Sequence, residues 1–148
     1  MTSITEDTLE QQTKTWFSEI GYSTVFGPDI ASDSQNPERK DFSDVILVGR
    51  LRTAIQNVNP NLPNVAVEEA IRKVLLFDLT NPVLQNKRCH QYVTEGVDIE
   101  YQTDSGTKAD NVKLIDFDNP ENNEFAVINQ FTIIENKNNR RPDLIIYV

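Results

Sequence analysis

Turn residues cut the last third of this chain into short apolar and β-branched runs, and that pattern decides what the chain can fold into. Residues 97–101 alternate between apolar and polar. Residues 112–117 and 125–134 are runs of strand type, and 144–148 is an unbroken apolar run. The first two thirds instead repeat apolar residues at helical spacing. Helices followed by strands predict an α/β or mixed α+β unit, with helices packed on a mixed sheet built mainly from residues 97–148.

Local signals set the expected elements. Thr5 is a plausible N-cap, Glu6 and Asp7 suit the positive end of the helix dipole, and Gly21 ends the helix as a left-handed cap. Leu9, Trp16 and Ile20 recur at helical steps, which predicts Trp16 in the core. Residues 22–26 read as a strand, 27–29 as a turn and 31–42 as a polar loop. Val45, Val48, Leu51 and Ile55 predict a second helix over 44–57. Asn64 is the expected cap of a third helix. A fourth is expected over 81–94, ending before Gly96. Residues 103–107 and 119–123 have turn composition, and 135–139 reads as a hairpin connection.

The 148 residues predict a single domain over 1–148. A net charge of −9 argues against a general nucleic-acid coat. One cysteine, Cys89, excludes an internal disulfide, and with the single His90 it excludes a tetrahedral Cys/His zinc site within the chain. Cys89 and His90 read as packing or surface residues. No apolar run approaches the roughly 20 residues of a membrane span, and no basic, apolar leader opens the chain. A cytoplasmic protein is the default.

Chemistry concentrates at residues 140–146. Pro142 forbids helix and opens a strand well. Asp143 then stands at the head of an apolar strand expected to be covered on both faces, where a carboxylate is costly unless hydrogen-bonded or metal-bound. A strand-borne aspartate of this kind holds magnesium in metal-dependent nucleases, and the ion activates water for attack on phosphate. The plainer alternative is a turn residue. Arg140 and Arg141, beside it, are the favoured DNA phosphate contacts. Pairs on the helices, such as Arg50 with Arg52 or Arg72 with Lys73, read better as solvated faces. Asp116 and Asp118 share a strand face in principle, but a turn explains them more simply.

Blocks along nearly the whole chain carry a resemblance. They are Thr5-Glu6-Asp7 through Leu9-Glu10, Gly21-Tyr22, Gly27-Pro28-Asp29-Ile30 and Thr94-Glu95-Gly96-Val97. Further on come Leu114-Ile115-Asp116-Phe117 with Asn119-Pro120 and Asn122-Asn123, then Phe125, Val127 and Asn129-Gln130-Phe131, and finally Arg141-Pro142-Asp143-Leu144. In their order and spacing the chain resembles the N-terminal end of the R subunit of type I restriction enzymes.

The resemblance implies a restriction-endonuclease-like fold in a longer protein. That protein would cleave unmodified double-stranded DNA by Mg2+-dependent hydrolysis coupled to ATP-driven translocation, in complex with methyltransferase and specificity subunits. Asp143 matches the first aspartate of the nuclease signature and would be a metal ligand. Glu10 matches a glutamate of the first helix in such nucleases and would join or brace the catalytic site.

The Glu-x-Lys that should follow Asp143 is absent from this chain. Glu135-Asn136-Lys137 has the right letters in the wrong place and reads as a turn. The expectation is therefore a piece of a longer nuclease, lacking the C-terminal part of its core, that binds magnesium weakly and cuts nothing by itself. No G-x-x-x-x-G-K-[ST] occurs, so ATP belongs to the parent and not to this segment. The competing expectation is a non-catalytic module of the same fold that binds DNA or the methyltransferase.

Overall fold

The computed structural model describes residues 5–76 and 80–148. Its helices are α1 (Glu6–Glu19), α2 (Val48–Val58), α3 (Asn64–Val74) and α4 (Pro82–Glu95). Its strands are β1 (Ser23–Phe26), β2 (Val97–Thr103), β3 (Gly106–Val112), β4 (Ala126–Asn129), β5 (Ile133–Glu135), β6 (Asn138–Arg140) and β7 (Leu144–Tyr147). The fold is α+β, within the mixed class expected. The residues form two compact units, Met1–Leu47 with Glu124–Val148, and Val48–Asn123.

In the first unit, β4 is the middle strand of a three-stranded mixed sheet. It pairs in parallel with β1 and antiparallel with β7. All four β4 residues are buried. Ile128 and Phe131 form a small core with Ile30 and Leu47. Thr5 caps α1 through its side chain, which accepts from the Thr8 N–H, and Gly21 follows the helix at φ +99°. Arg39 is buried against this core, its guanidinium carbon 3.9 Å from the Phe131 ring centroid. Burial pushes its pKa below the usual arginine value.

In the second unit, β2 and β3 form a hairpin ladder. Alternation along β2 turns Val97, Ile99 and Tyr101 inward. They pack with Ile55 of α2 and with Ala66, Val67, Ala70 and Ile71 of α3. Asn81 caps α4 by accepting from the Leu84 N–H, and Gly96 ends it.

Several expectations are corrected. The sheet is not one: β2–β3 and β5–β6 are separate ladders, and β1 comes from the N-terminal third. The second helix starts at Val48 rather than at residue 44, because the Asp44 carboxylate accepts from the Lys40 and Asp41 N–H groups and closes the preceding loop. Asn64 is the first residue of α3, after Pro63, rather than its cap. The run 112–117 is strand only at Val112. Beyond it the Asp116 carboxylate accepts the N–H groups of Asp118 and Asn119, which bends the chain into a turn. The run 125–134 is broken at Gln130, whose φ is +56°.

Trp16 is 55% exposed and outside the core. The less exposed face of α1 is centred on Glu10, Lys14 and Phe17, with Thr13 at its margin, so Leu9, Trp16 and Ile20 lie round the helix from it. The strand after Asp143 is not covered on both faces. β7 is an edge strand in which Ile146 is 50% exposed.

Candidate functional site

Glu10 is the one buried residue of α1. Its side chain reaches the end of β4, where both carboxylate oxygens find amide donors. Asn129 Nδ2 donates to Oε1 at 2.6 Å, and Gln130 Nε2 donates to Oε2 at 2.7 Å. Lys14, one turn further along α1, donates to Asn129 Oδ1 at 3.1 Å. The Asn129 amide is thus oriented from both ends, and its nitrogen must face the glutamate.

Asp143 arrives from the opposite direction. β7 runs antiparallel to β4, with Leu144 opposite Asn129. One step beyond the ladder, the Gln130 N–H donates to the Asp143 carbonyl at 3.1 Å. Asp143 is exposed. The expectation of a buried aspartate is corrected here: the residue lies just outside the sheet, at the mouth of an edge strand.

Glu6, Asp7, Glu10, Gln130, Arg141 and Asp143 line one open cleft of about 240 Å³. The two carboxylates singled out from the sequence, Glu10 and Asp143, are therefore brought together, and Arg141 joins them. Arg140 is the last residue of β6, exposed and outside the cleft lining.

The other sequence candidates go elsewhere. Asp116 is held by turn hydrogen bonds, including one from Asn122 Nδ2 at 2.8 Å. Asn136 and Lys137 form the two-residue turn of the β5–β6 hairpin, both at positive φ, as such a hairpin turn requires. Arg52 and Arg72 are paired with Glu68 and Glu69. Sequence reasoning did not assign roles to Lys14, Asn129 and Gln130. The available signal was a polar pair, Asn129-Gln130, inside an otherwise apolar run.

Magnesium is held by hard oxygen ligands, commonly one or two protein carboxylates with waters and substrate phosphates completing the shell. An exposed aspartate beside a fixed glutamate, in an open cleft, fits that donor set. Among the described residues, no group of three His, Cys, Asp or Glu side chains could hold a metal ion together. The fit is therefore to a site completed by water and substrate.

Comparison with known proteins first gives the class. The chain is 31% identical over 146 residues to the type I restriction enzyme HindI endonuclease subunit of Haemophilus influenzae, covering 98% of this chain and 14% of that protein. It is 33% identical over 132 residues to the putative type I restriction enzyme MjaIXP endonuclease subunit of Methanocaldococcus jannaschii, covering 87% of this chain and 12% of that protein. The chain therefore spans a small part of the length of these relatives. No solved structure matches it.

The family follows. The model of the type I restriction enzyme R protein N terminus matches residues 3–148, and the chain belongs to that family.

Proposed function

We propose that this chain is the N-terminal part of the endonuclease domain of a longer R subunit. That subunit cleaves unmodified double-stranded DNA by Mg2+-dependent phosphodiester hydrolysis, coupled to ATP-driven translocation. It works in the cytoplasm with methyltransferase and specificity subunits. The observation that carries this reading is the convergence of Glu10 and Asp143 on one cleft through Gln130. A mixed sheet with α1 against β1 and β4 supports a restriction-endonuclease-like fold for the unit that holds them.

In this reading Asp143 is the metal ligand that faces solvent. Glu10 stands behind it as a fixed negative charge. Arg141 binds a phosphate of the DNA backbone and positions it without reading sequence. Magnesium, when bound, supplies Lewis-acid polarisation of the phosphate and a more acidic water. The lining residues include carboxylates and Arg141 but no lysine to steady the nucleophile or the developing charge. In this reading the 148 residues alone bind Mg2+ weakly and leave DNA intact.

The test has two arms. Calorimetric titration of the chain with Mg2+ should show weak binding that Asp143→Asn removes. In the full-length subunit, assembled with its partners, the same change should abolish DNA cleavage while sparing ATP hydrolysis. Equal Mg2+ binding by both chains, with cleavage retained, would leave a non-catalytic module for DNA or the methyltransferase.

A further inference from the structure

We propose that Gln130 is the positioning residue that holds Glu10 and Asp143 at one divalent-cation site, with its side chain on the first and its main chain on the second. The inference rests on the metal reading above.

The argument starts from the backbone. Gln130 adopts φ +56°, a left-handed conformation uncommon for any residue but glycine. Such conformations persist where the surroundings over-determine them, and they cluster at active sites and ligand clamps. Two hydrogen bonds determine this one. The Gln130 N–H is tied to the Asp143 carbonyl, and its side-chain amide is tied to Glu10. The chain is also pressed against Gly27. A Cβ on that glycine would lie 2.7 Å from the Gln130 carbonyl oxygen and 2.8 Å from that of Asn129.

The left-handed turn has a geometric use. Neighbouring residues of an extended strand point to opposite faces of a sheet. Asn129 and Gln130 are neighbours, yet both donate to the same carboxylate, one to each oxygen. The break in the strand at Gln130 brings its amide round to the side on which Asn129 already holds Glu10. The same break ends the β4–β7 ladder where Asp143 begins. One residue thus sets the position of one carboxylate and the backbone of the other. Outer partners of this kind orient metal ligands, and their loss commonly weakens metal affinity by about 10- to 100-fold.

The experiment uses the 148-residue chain, with Mn2+ as a paramagnetic probe for the site. Gln130→Gly keeps the left-handed backbone at low cost and deletes the side chain with its amide. The variant is expected to remain folded while its Mn2+ affinity falls about tenfold. A folded variant with wild-type affinity overturns the inference and leaves the metal reading intact. A second measurement needs no variant. In the wild-type chain, Mn2+ should broaden the amide resonances of Glu10 and Asp143 over the same concentration range. Broadening of only one of them overturns the inference. A wild-type chain that binds no Mn2+ overturns the metal reading and this inference with it.

Discussion

Asn129 Nδ2 and Glu10 Oε1 lie 2.6 Å apart, joining residues 119 positions apart in the chain at a point where both are buried. The pair fastens the first helix to the central strand, and it does so with a charge. Glu10→Ala should leave the Asn129 amide buried without its acceptor, a loss of about 1–3 kcal/mol. Urea denaturation of the wild-type and variant chains measures it. A change within error would mean that water replaces the carboxylate freely, and that the glutamate does not brace the fold.

Gly27 is predicted to be as critical as any core residue, although it packs no side chain. Its missing Cβ leaves room for the Asn129 and Gln130 carbonyls, which are backbone atoms and cannot rotate away. Gly27→Ala should cost about 1–3 kcal/mol, as overpacking does. It should also disturb the Gln130 turn, so that the amide resonances of Gln130 and Asp143 shift together. Shifts confined to residues next to Gly27 in sequence would refute the coupling.

Asp116 gives a pH dependence with a definite sign. The Asn122 side-chain amide, followed by the Asn119 N–H, holds its carboxyl below the usual aspartate range. The unfolded chain therefore binds the proton more readily than the folded one. The stabilisation is fully present above the unfolded value of about 4 and is lost as the pH falls through the lower folded value. In Asp116→Asn this part of the pH dependence should vanish, because an amide takes no proton there. Urea midpoints of the two chains from pH 6 to pH 3 should converge at the acid end. Parallel curves would show that Asp116 does not carry the effect.

These residues also mark where sequence reading worked. Helix ends were legible where one side chain or one glycine settles them locally, as Thr5, Gly21 and Gly96 do. The break at Gln130 was not, because it depends on bonds to Glu10 and Asp143, which are remote in sequence. Trp16 misled for a related reason. Its spacing from Leu9 and Ile20 is helical, but α1 turns a polar face, Glu10 and Lys14, toward β4. Hydrophobic periodicity shows which residues share a side of a helix. It does not show which side a buried carboxylate will claim. The cleft followed the same division: Asp143 and Glu10 were singled out together, whereas Gln130, which bonds to both, was given no role.

The two neighbouring arginines are no longer equivalent, and this separates their expected effects on DNA. Arg141 lines the cleft with Asp143, whereas Arg140 belongs to β6 and lies outside it. A phosphate held at the cleft would meet Arg141 first. In the full-length enzyme, Arg141→Ala should weaken DNA binding evenly across sequences and lower the log–log salt slope by about 0.9, the value for one phosphate contact. Arg140→Ala should change the slope less. Fluorescence anisotropy with duplex DNA over a range of salt concentrations separates the two. Equal slopes for both variants, or no loss in either, would place the DNA path away from Arg141 and detach the cleft from the substrate.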